Sequence, residues 1–223
     1  MLAVTGSSVA VEHELRYLRP SKFRVPQILC GLELLSSNRG VHRDHYFDGI
    51  CDGKPALRSK RCSLRVRYGA DGRIVATFKQ RAAKIDGVPG TARLETESVL
   101  AGPAFSAELI DLSVNTAGEL ALAAARDAAG EGVQLVELFK VTNDRRNHHY
   151  TGPDGQHLIL SEDHIIYPDG STQRRVEVEV AGGDPSMLAD ADRQLRARYG
   201  KLREAPRGKA SEARRRLAAL LAI

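Results

Sequence analysis

Charge recurs at every second residue in stretch after stretch of this chain, and that periodicity limits the fold more than anything else in the sequence. Side chains at i and i+2 share one face of a β-strand, so VEHELRYL (11–18) sets Glu12, Glu14 and Arg16 on one face. The segment CSLRVRY (62–68) opposes Arg65 and Arg67 to Leu64, Val66 and Tyr68. RIVATFKQR (73–81) presents Thr77 and Lys79, ARLETESVL (92–100) presents Arg93, Glu95 and Glu97, and RRVEVEV (174–180) presents Arg175, Glu177 and Glu179. QLVELFKVT (134–142) and QHLILSEDHIIY (156–167) complete a mostly β inventory. Ala-Asp-Gly at 70–72 and Pro-Asp-Gly at 153–155 and 168–170 lie between strand-like runs, where hairpin turns belong.

Helical signals are fewer. The spacing of Ile28, Leu29, Leu32 and Leu35 predicts a helix over 21–36, with Ser21 as its cap. GELALAAARDAAG predicts a second, ending at Gly130. Asp184-Pro185 opens a third over 185–198. A fourth, over 209–222, has Leu217, Leu220 and Leu221 on its apolar side. The reading is one α+β domain over residues 1–223, dominated by antiparallel sheet, with a core at about 11–200 and a basic helical tail at 201–223.

A chain of 223 residues with 42% hydrophobic content can bury a substantial core. No apolar run approaches the roughly 20 residues of a membrane-spanning helix, and MLAVTGSSVA has neither a basic leader nor a sustained apolar stretch. Three cysteines, Cys30, Cys51 and Cys62, without CxxC spacing indicate free thiols and a reducing, cytoplasmic setting. The net charge of +5 favours a polyanionic partner. With 5% aromatic residues and no Trp, stacking platforms are scarce, which argues against nucleic acid and for a small polyanion.

Any single charged strand face could be a solvated surface, but the set is unusual because strand interiors disfavour Glu. Strands closed into a barrel, polar faces inward and apolar faces outward under helices, account for it. Inward Arg and Lys would take phosphate oxygens, and Glu carboxylates would hold Mg²⁺ or Mn²⁺, hard ions that prefer oxygen ligands. Interleaved acids and bases would offset one another's desolvation before a ligand enters.

These stretches resemble the CYTH superfamily, the triphosphate tunnel metalloenzymes. Glu12-His-Glu14-Leu-Arg16 is similar to the family's E-x-E-x-K strand, with Arg16 in place of the lysine. HYFDGICDGKPALRSKRCSLRVR is similar to a Tyr-Phe-Asp segment followed by Leu-Arg-x-Arg, with Gly49 where a threonine often follows the Asp. VATFKQ resembles the strand carrying a tunnel lysine, ARLETE the R-x-E-x-E strand, SEDHI an acidic strand with Asp163, and RRVEVEV the late E-x-E strand. FKVTNDRRNHHY is similar to a strand supplying another cation, and the register leaves Lys140, Arg145 and Arg146 open. APRGKASEA resembles a tail motif whose lysine, Lys209, would reach one tunnel mouth.

The resemblance implies an eight-stranded antiparallel β-barrel around a tunnel that binds a triphosphate and Mg²⁺ or Mn²⁺. It implies phosphate contacts from Arg16, Arg65, Arg67, Lys79, Arg93, Lys209 and the cation of the 140–146 strand, with Glu12, Glu14, Arg16 and Lys79 at the centre of the chemistry. Glu12, Glu14, Glu177, Glu179 and Asp163 would hold metal, and Glu95 and Glu97 would support them. The expected activity is metal-dependent triphosphate hydrolysis. The alternatives are a class IV adenylate cyclase and a non-catalytic polyphosphate or nucleotide binder, and the chain could assemble as a homodimer.

Overall fold

The computed structural model describes residues 7–100, 109–110 and 119–221, so the opening MLAVTG lies outside the described residues. The alternating stretches form eight long strands: β1 (Ser7–Leu18), β2 (Leu32–Asp48), β3 (Ser63–Tyr68), β4 (Ile74–Arg81), β5 (Thr91–Leu100), β6 (Leu135–Thr151), β7 (His157–Ile166) and β8 (Thr172–Gly182). All pair antiparallel in the cyclic order β1-β5-β4-β3-β2-β6-β7-β8, and β8 returns to β1. The sheet is thus a closed ring without a free edge. The three Asp-Gly turns close hairpins as the sequence indicates, with Gly72, Gly155 and Gly170 at φ of 77°, 75° and 76°.

Among the described residues four helices lie against the ring: α1 (Ala56–Ser59), α2 (Leu120–Ala129), α3 (Met187–Tyr199) and α4 (Lys209–Leu221). The apolar strand faces point outward beneath two of them, as alternation requires. Leu64 and Val66 of β3 and Ala76 and Phe78 of β4 pack on Ala121, Leu122 and Ala125 of α2. Leu15, Tyr17, Leu158, Val176 and Val178 pack on Leu188, Ala191 and Leu195 of α3. A third apolar group lies where α4 meets the ring, with Ala213 against Tyr46, Phe139, Val141, Ile165 and Tyr167. Leu217 joins it, whereas Leu220 is exposed, so the apolar side of α4 is narrower than its leucines suggest. Among the described residues no helix is long and apolar enough to cross a membrane.

Residues 21–36 are not helical. Cys30 (φ 56°) and Gly31 (φ 77°) form a two-residue hairpin turn that folds Ile28–Leu29 back onto the start of β2. Positive φ at both central positions overrides the helical spacing of the flanking leucines, and the Cys-Gly pair is an uncommon signature for such a turn. Residues 201–208 do more than trail from the domain. β5 accompanies β1 only as far as Glu14. Beyond it the 203–205 segment takes over that edge, with Leu18 N–H donating to Arg203 O (2.8 Å) and Ala205 N–H to Arg16 O (2.9 Å). This pairing delivers α4 to the ring.

Asp48 ends β2 as a buried cap: its carboxylate accepts from the backbone N–H of Gly49 (2.9 Å), Leu57 (2.8 Å) and Arg58 (3.2 Å). The next residue has no room for a side chain, since a Cβ on Gly49 would lie 2.5 Å from the Gln134 carbonyl oxygen and 2.6 Å from Val133 Cγ1. Gly49→Ala should therefore cost about 2 kcal/mol, or roughly 4–8 °C in Tm for a chain of this size. A thermal melt within 1 °C of wild type would show that the 133–134 backbone yields at no cost.

Candidate active site

The charged strand faces turn into the ring, Arg175 alone of their basic residues lying apart from the cavity. β1 alternates between Leu15 and Tyr17, buried outside, and Glu12, Glu14 and Arg16, directed inward. Across the ladders, Glu14 stands opposite Glu179, Arg16 opposite Glu177, Glu12 opposite Arg93 and Lys79 opposite Glu95. Together they line a cavity of about 850 Å³. Its wall carries twelve basic and six acidic side chains, an excess of six positive charges, whereas the whole chain has an excess of five. The positive excess of the protein is thus matched along this one cavity, where charges of one sign strengthen the field, although Arg58, Arg61, Arg81 and Lys84 are exposed.

Part of this charge is neutralised internally. Arg67 clasps Asp44 through two bonds of 2.7 and 2.9 Å, and Arg65 stands 3.9 Å from the same carboxylate. Burial opposes ionisation of Asp44, but the two guanidiniums outweigh it and hold its pKa well below the usual carboxylate range. Arg145 donates to Asp163 at 2.6 and 2.8 Å and also to Glu177. Lys209, at the start of α4, reaches both carboxylates, 2.8 Å from Asp163 and 2.9 Å from Glu177. Burial raises the pKa of each acid, and the two cations bring it down below its ordinary value. Lys79 lies 3.2 Å from Glu12 and also pairs with Glu95, while Glu97 accepts from Thr77 Oγ1 (2.8 Å) and lies 3.7 Å from Arg65.

Three carboxylates are left without adequate compensation. Glu179 makes no hydrogen bond or ion pair among the described residues; burial first, and then the charge of Glu12, push its pKa up to about 7. Glu14 has only an Arg16 Nε at 3.4 Å and a Thr91 hydroxyl at 3.3 Å, and burial, Glu12 and Glu177 raise its pKa. Burial raises Glu12 as well, against the pull of Lys79. Such a group needs either protons or a further cation. Its donors are all carboxylate oxygens, the chemistry that suits a hard divalent ion. Among the described residues no group of three His, Cys, Asp or Glu side chains already forms a metal cage; Glu12 is instead drawn towards Lys79, and Glu14 towards Arg16.

Of the three candidates on β6, only Arg145 lines the cavity. Lys140 is exposed and pairs with Glu137 at 3.4 Å, and Arg146 is exposed on the outer face. Asp163 does not line the cavity and is enclosed by Asn143, Arg145 and Lys209. Arg175 is buried apart from the cavity, donating to Gln173, the Tyr167 hydroxyl and the Arg207 carbonyl.

Arg58, Arg61, Arg81, Lys84 and Arg214 also line the cavity, and none was evident beforehand. Arg81 continues the alternation of Thr77 and Lys79 and could have been read from it. Arg214 lies one turn beyond Ala210 and one before Leu217, on the packed side of α4, a signal obscured by the run Arg214-Arg215-Arg216.

The family model of the CYTH domain matches residues 10–213. No curated protein sequence matches the chain. Among solved structures, the Hippeastrum protein HpAC1, a candidate adenylyl cyclase with a dominant triphosphatase activity, is similar at 17% identity with a TM-score of 0.50. The match covers 92% of this chain and 94% of that one, and it bears on the fold.

The raised Glu179 pKa fixes a pH dependence. An acid with a higher pKa folded than unfolded stabilises the fold fully below its ordinary value of 4.5, and the contribution is lost as pH rises through about 7. In chelator-treated buffer, wild-type Tm should therefore fall from about pH 5 to about pH 8, and Glu179→Gln should remove part of that fall, at most about 3 kcal/mol. Parallel pH profiles for the two proteins would show that Glu179 is not the group responsible.

Proposed function

Because the chain belongs to the CYTH domain family, we propose that it hydrolyses a triphosphate inside the ring with the aid of a divalent metal ion, inorganic triphosphate being the simplest substrate. One observation carries this reading: the cavity combines a surplus of six positive charges with a separate carboxylate group, Glu12, Glu14 and Glu179, whose burial is only partly compensated by Lys79 and Arg16. A metal-bound polyphosphate supplies both complements at once.

Arg65, Arg67, Lys79, Arg145 and Lys209 are held by carboxylates at fixed positions, so they meet phosphate oxygens without first being ordered. Arg16 and Arg93 extend the clamp along β1 and β5. Charge that develops on the departing phosphate is met by the same guanidinium and ammonium groups, which is where most of the rate enhancement in phosphoryl transfer arises. Glu12, Glu14 and Glu179 are the residues suited to Mg²⁺ or Mn²⁺, which when bound would neutralise phosphate charge and polarise water. Glu177 and Asp163 serve chiefly to hold Arg145 and Lys209, a different role from metal ligation. Among the described residues Tyr46 is the sole aromatic side chain lining the cavity, and it packs on Phe139. An adenine ring therefore has no stacking platform there, which favours hydrolysis over cyclisation of ATP.

A screen with Mg²⁺ and Mn²⁺ against triphosphate, thiamine triphosphate and ATP separates the readings. Phosphate release, greatest from inorganic triphosphate, is expected. Pyrophosphate with cyclic AMP from ATP would establish the cyclase, and tight binding without turnover a sensor. In the double variant Glu12→Gln/Glu14→Gln, kcat should fall by roughly 100-fold or more. Its Tm should hold or rise, because two poorly compensated charges are removed. Undiminished turnover in that variant would exclude these two residues from metal binding.

A further inference from the structure

The twelve cations of the cavity are not compensated alike. Arg16, Arg65, Arg67, Lys79, Arg145 and Lys209 pair with carboxylates, whereas Arg81, Lys84 and Arg93 have no carboxylate partner among the described residues. Arg58, Arg61 and Arg214 line the same cavity, yet among the described residues none of their guanidinium groups makes a hydrogen bond to a carboxylate. Arg58 is on α1, Arg61 follows that helix, and Arg214 comes from α4, so two separate parts of the chain bring positive charge to one cavity. Arg214 is the most telling. Its guanidinium lies over the Phe139 ring, Nε and Nη2 are buried without a hydrogen-bond partner, and the nearest carboxylate, Asp48, is 4.0 Å away. Asp48 is already committed to the backbone N–H groups of Gly49, Leu57 and Arg58. Burial lowers the pKa of Arg214 despite Asp48, and Arg58 adds repulsion. Unmet guanidinium donors of this kind are costly to bury.

Arg61 adds an independent sign. It has φ of 59°, a left-handed conformation that glycine adopts freely and a long side chain adopts at a cost. A strained residue whose side chain lines a cavity is a reason to look for a ligand.

We propose that Arg58, Arg61 and Arg214 form a distal anion subsite, continuous with the triphosphate site, that takes the further phosphates of a linear polyphosphate of four or more units. The inference rests on the triphosphate reading and extends it to chain length. A longer chain is favoured over a nucleotide because the subsite offers guanidinium forks, which match phosphate oxygens, and because, among the described residues, no aromatic side chain other than Tyr46 lines the cavity. The one ion pair the subsite holds, Arg214 with Asp48 at 4.0 Å, is long and makes no hydrogen bond, so an anion reaching it displaces no close contact.

Calorimetric titration with inorganic triphosphate and tetraphosphate, in chelator-treated buffer so that no turnover occurs, tests the idea. Wild-type protein should bind tetraphosphate about tenfold or more tightly than triphosphate, the gain of one charge-assisted contact set. In Arg58→Gln/Arg61→Gly the ratio should fall to within about twofold. The Arg61→Gly change suits the local backbone, so folding is preserved, and Arg214→Met provides a second variant expected to narrow the ratio. If triphosphate itself does not bind, the underlying reading fails. If triphosphate binds and tetraphosphate binds no better, the distal subsite fails alone. A wild-type preference that persists in both variants would overturn the assignment of these arginines.

Discussion

The carboxylate–cation lattice inside the ring is the constraint on which the rest of this structure depends. A single unpaired charge enclosed there would cost several kcal/mol, yet almost every strand contributes at least one. Asp44 with Arg67, and Asp163 and Glu177 with Arg145 and Lys209, solve the problem locally. Each solution joins separate elements: neighbouring strands β2 and β3 in the first, and β6, β7, β8 and α4 in the second. The lattice therefore orders the ring as well as the site. It also keeps the cations in place for an anionic ligand, so little reorganisation accompanies binding.

That lattice explains why the last segment belongs to the domain. Lys209 supplies a cation to two carboxylates that Arg145 alone would leave short of charge. Three features fix its position: the pairing of residues 203–205 along β1, the bond from Arg175 to the Arg207 carbonyl (2.8 Å), and the packing of Ala213 against the apolar group at the ring. Sequence composition presented this region as a basic tail. In three dimensions one face of α4 packs on the ring and brings Lys209 and Arg214 to the cavity, while other basic residues, such as Arg215, stay outside on Glu212.

Much of the fold and the site was legible because a strand has a period of two, and a closed ring turns that period into an inside and an outside. Glu12, Glu14, Lys79, Arg93 and Glu177 follow from it directly. The period fails where the sequence does not mark the two faces. FKVTNDRRNHHY has few apolar residues after Val141, and β6 carries register shifts against β2 at Glu137/Phe139 and His149/Tyr150. Lys140, Arg145 and Arg146 were therefore indistinguishable until pairing with β7 set Arg145 opposite Asp163. The partition of the acids was beyond sequence for a different reason. Whether a glutamate is available to a metal depends on which cations reach it, and the cations that claim Glu177 come from residues 145 and 209, 32 positions away on either side. Arg175, read as one of a charged face, is likewise absorbed by groups outside its own strand as well as within it.

Arg16 shows how a local substitution is accommodated by its surroundings. An arginine is longer than a lysine and carries a planar fork, so placing one on β1 between Glu14 and the Glu177 position requires space beyond the strand. Gly208 provides it. A Cβ there would stand 2.8 Å from Arg16 Nη1 and 3.4 Å from Arg93 Nη2, so any side chain at 208 would displace the fork. The absent side chain at 208 and the guanidinium at 16 thus form one arrangement, made by the segment that also delivers Lys209. Its effect is to turn a point charge into a directional donor pair facing the cavity, with Glu14 only loosely engaged. A loosely held Glu14 is what a metal-binding carboxylate requires, whereas a tightly clasped one, like Asp44, would be lost to that role.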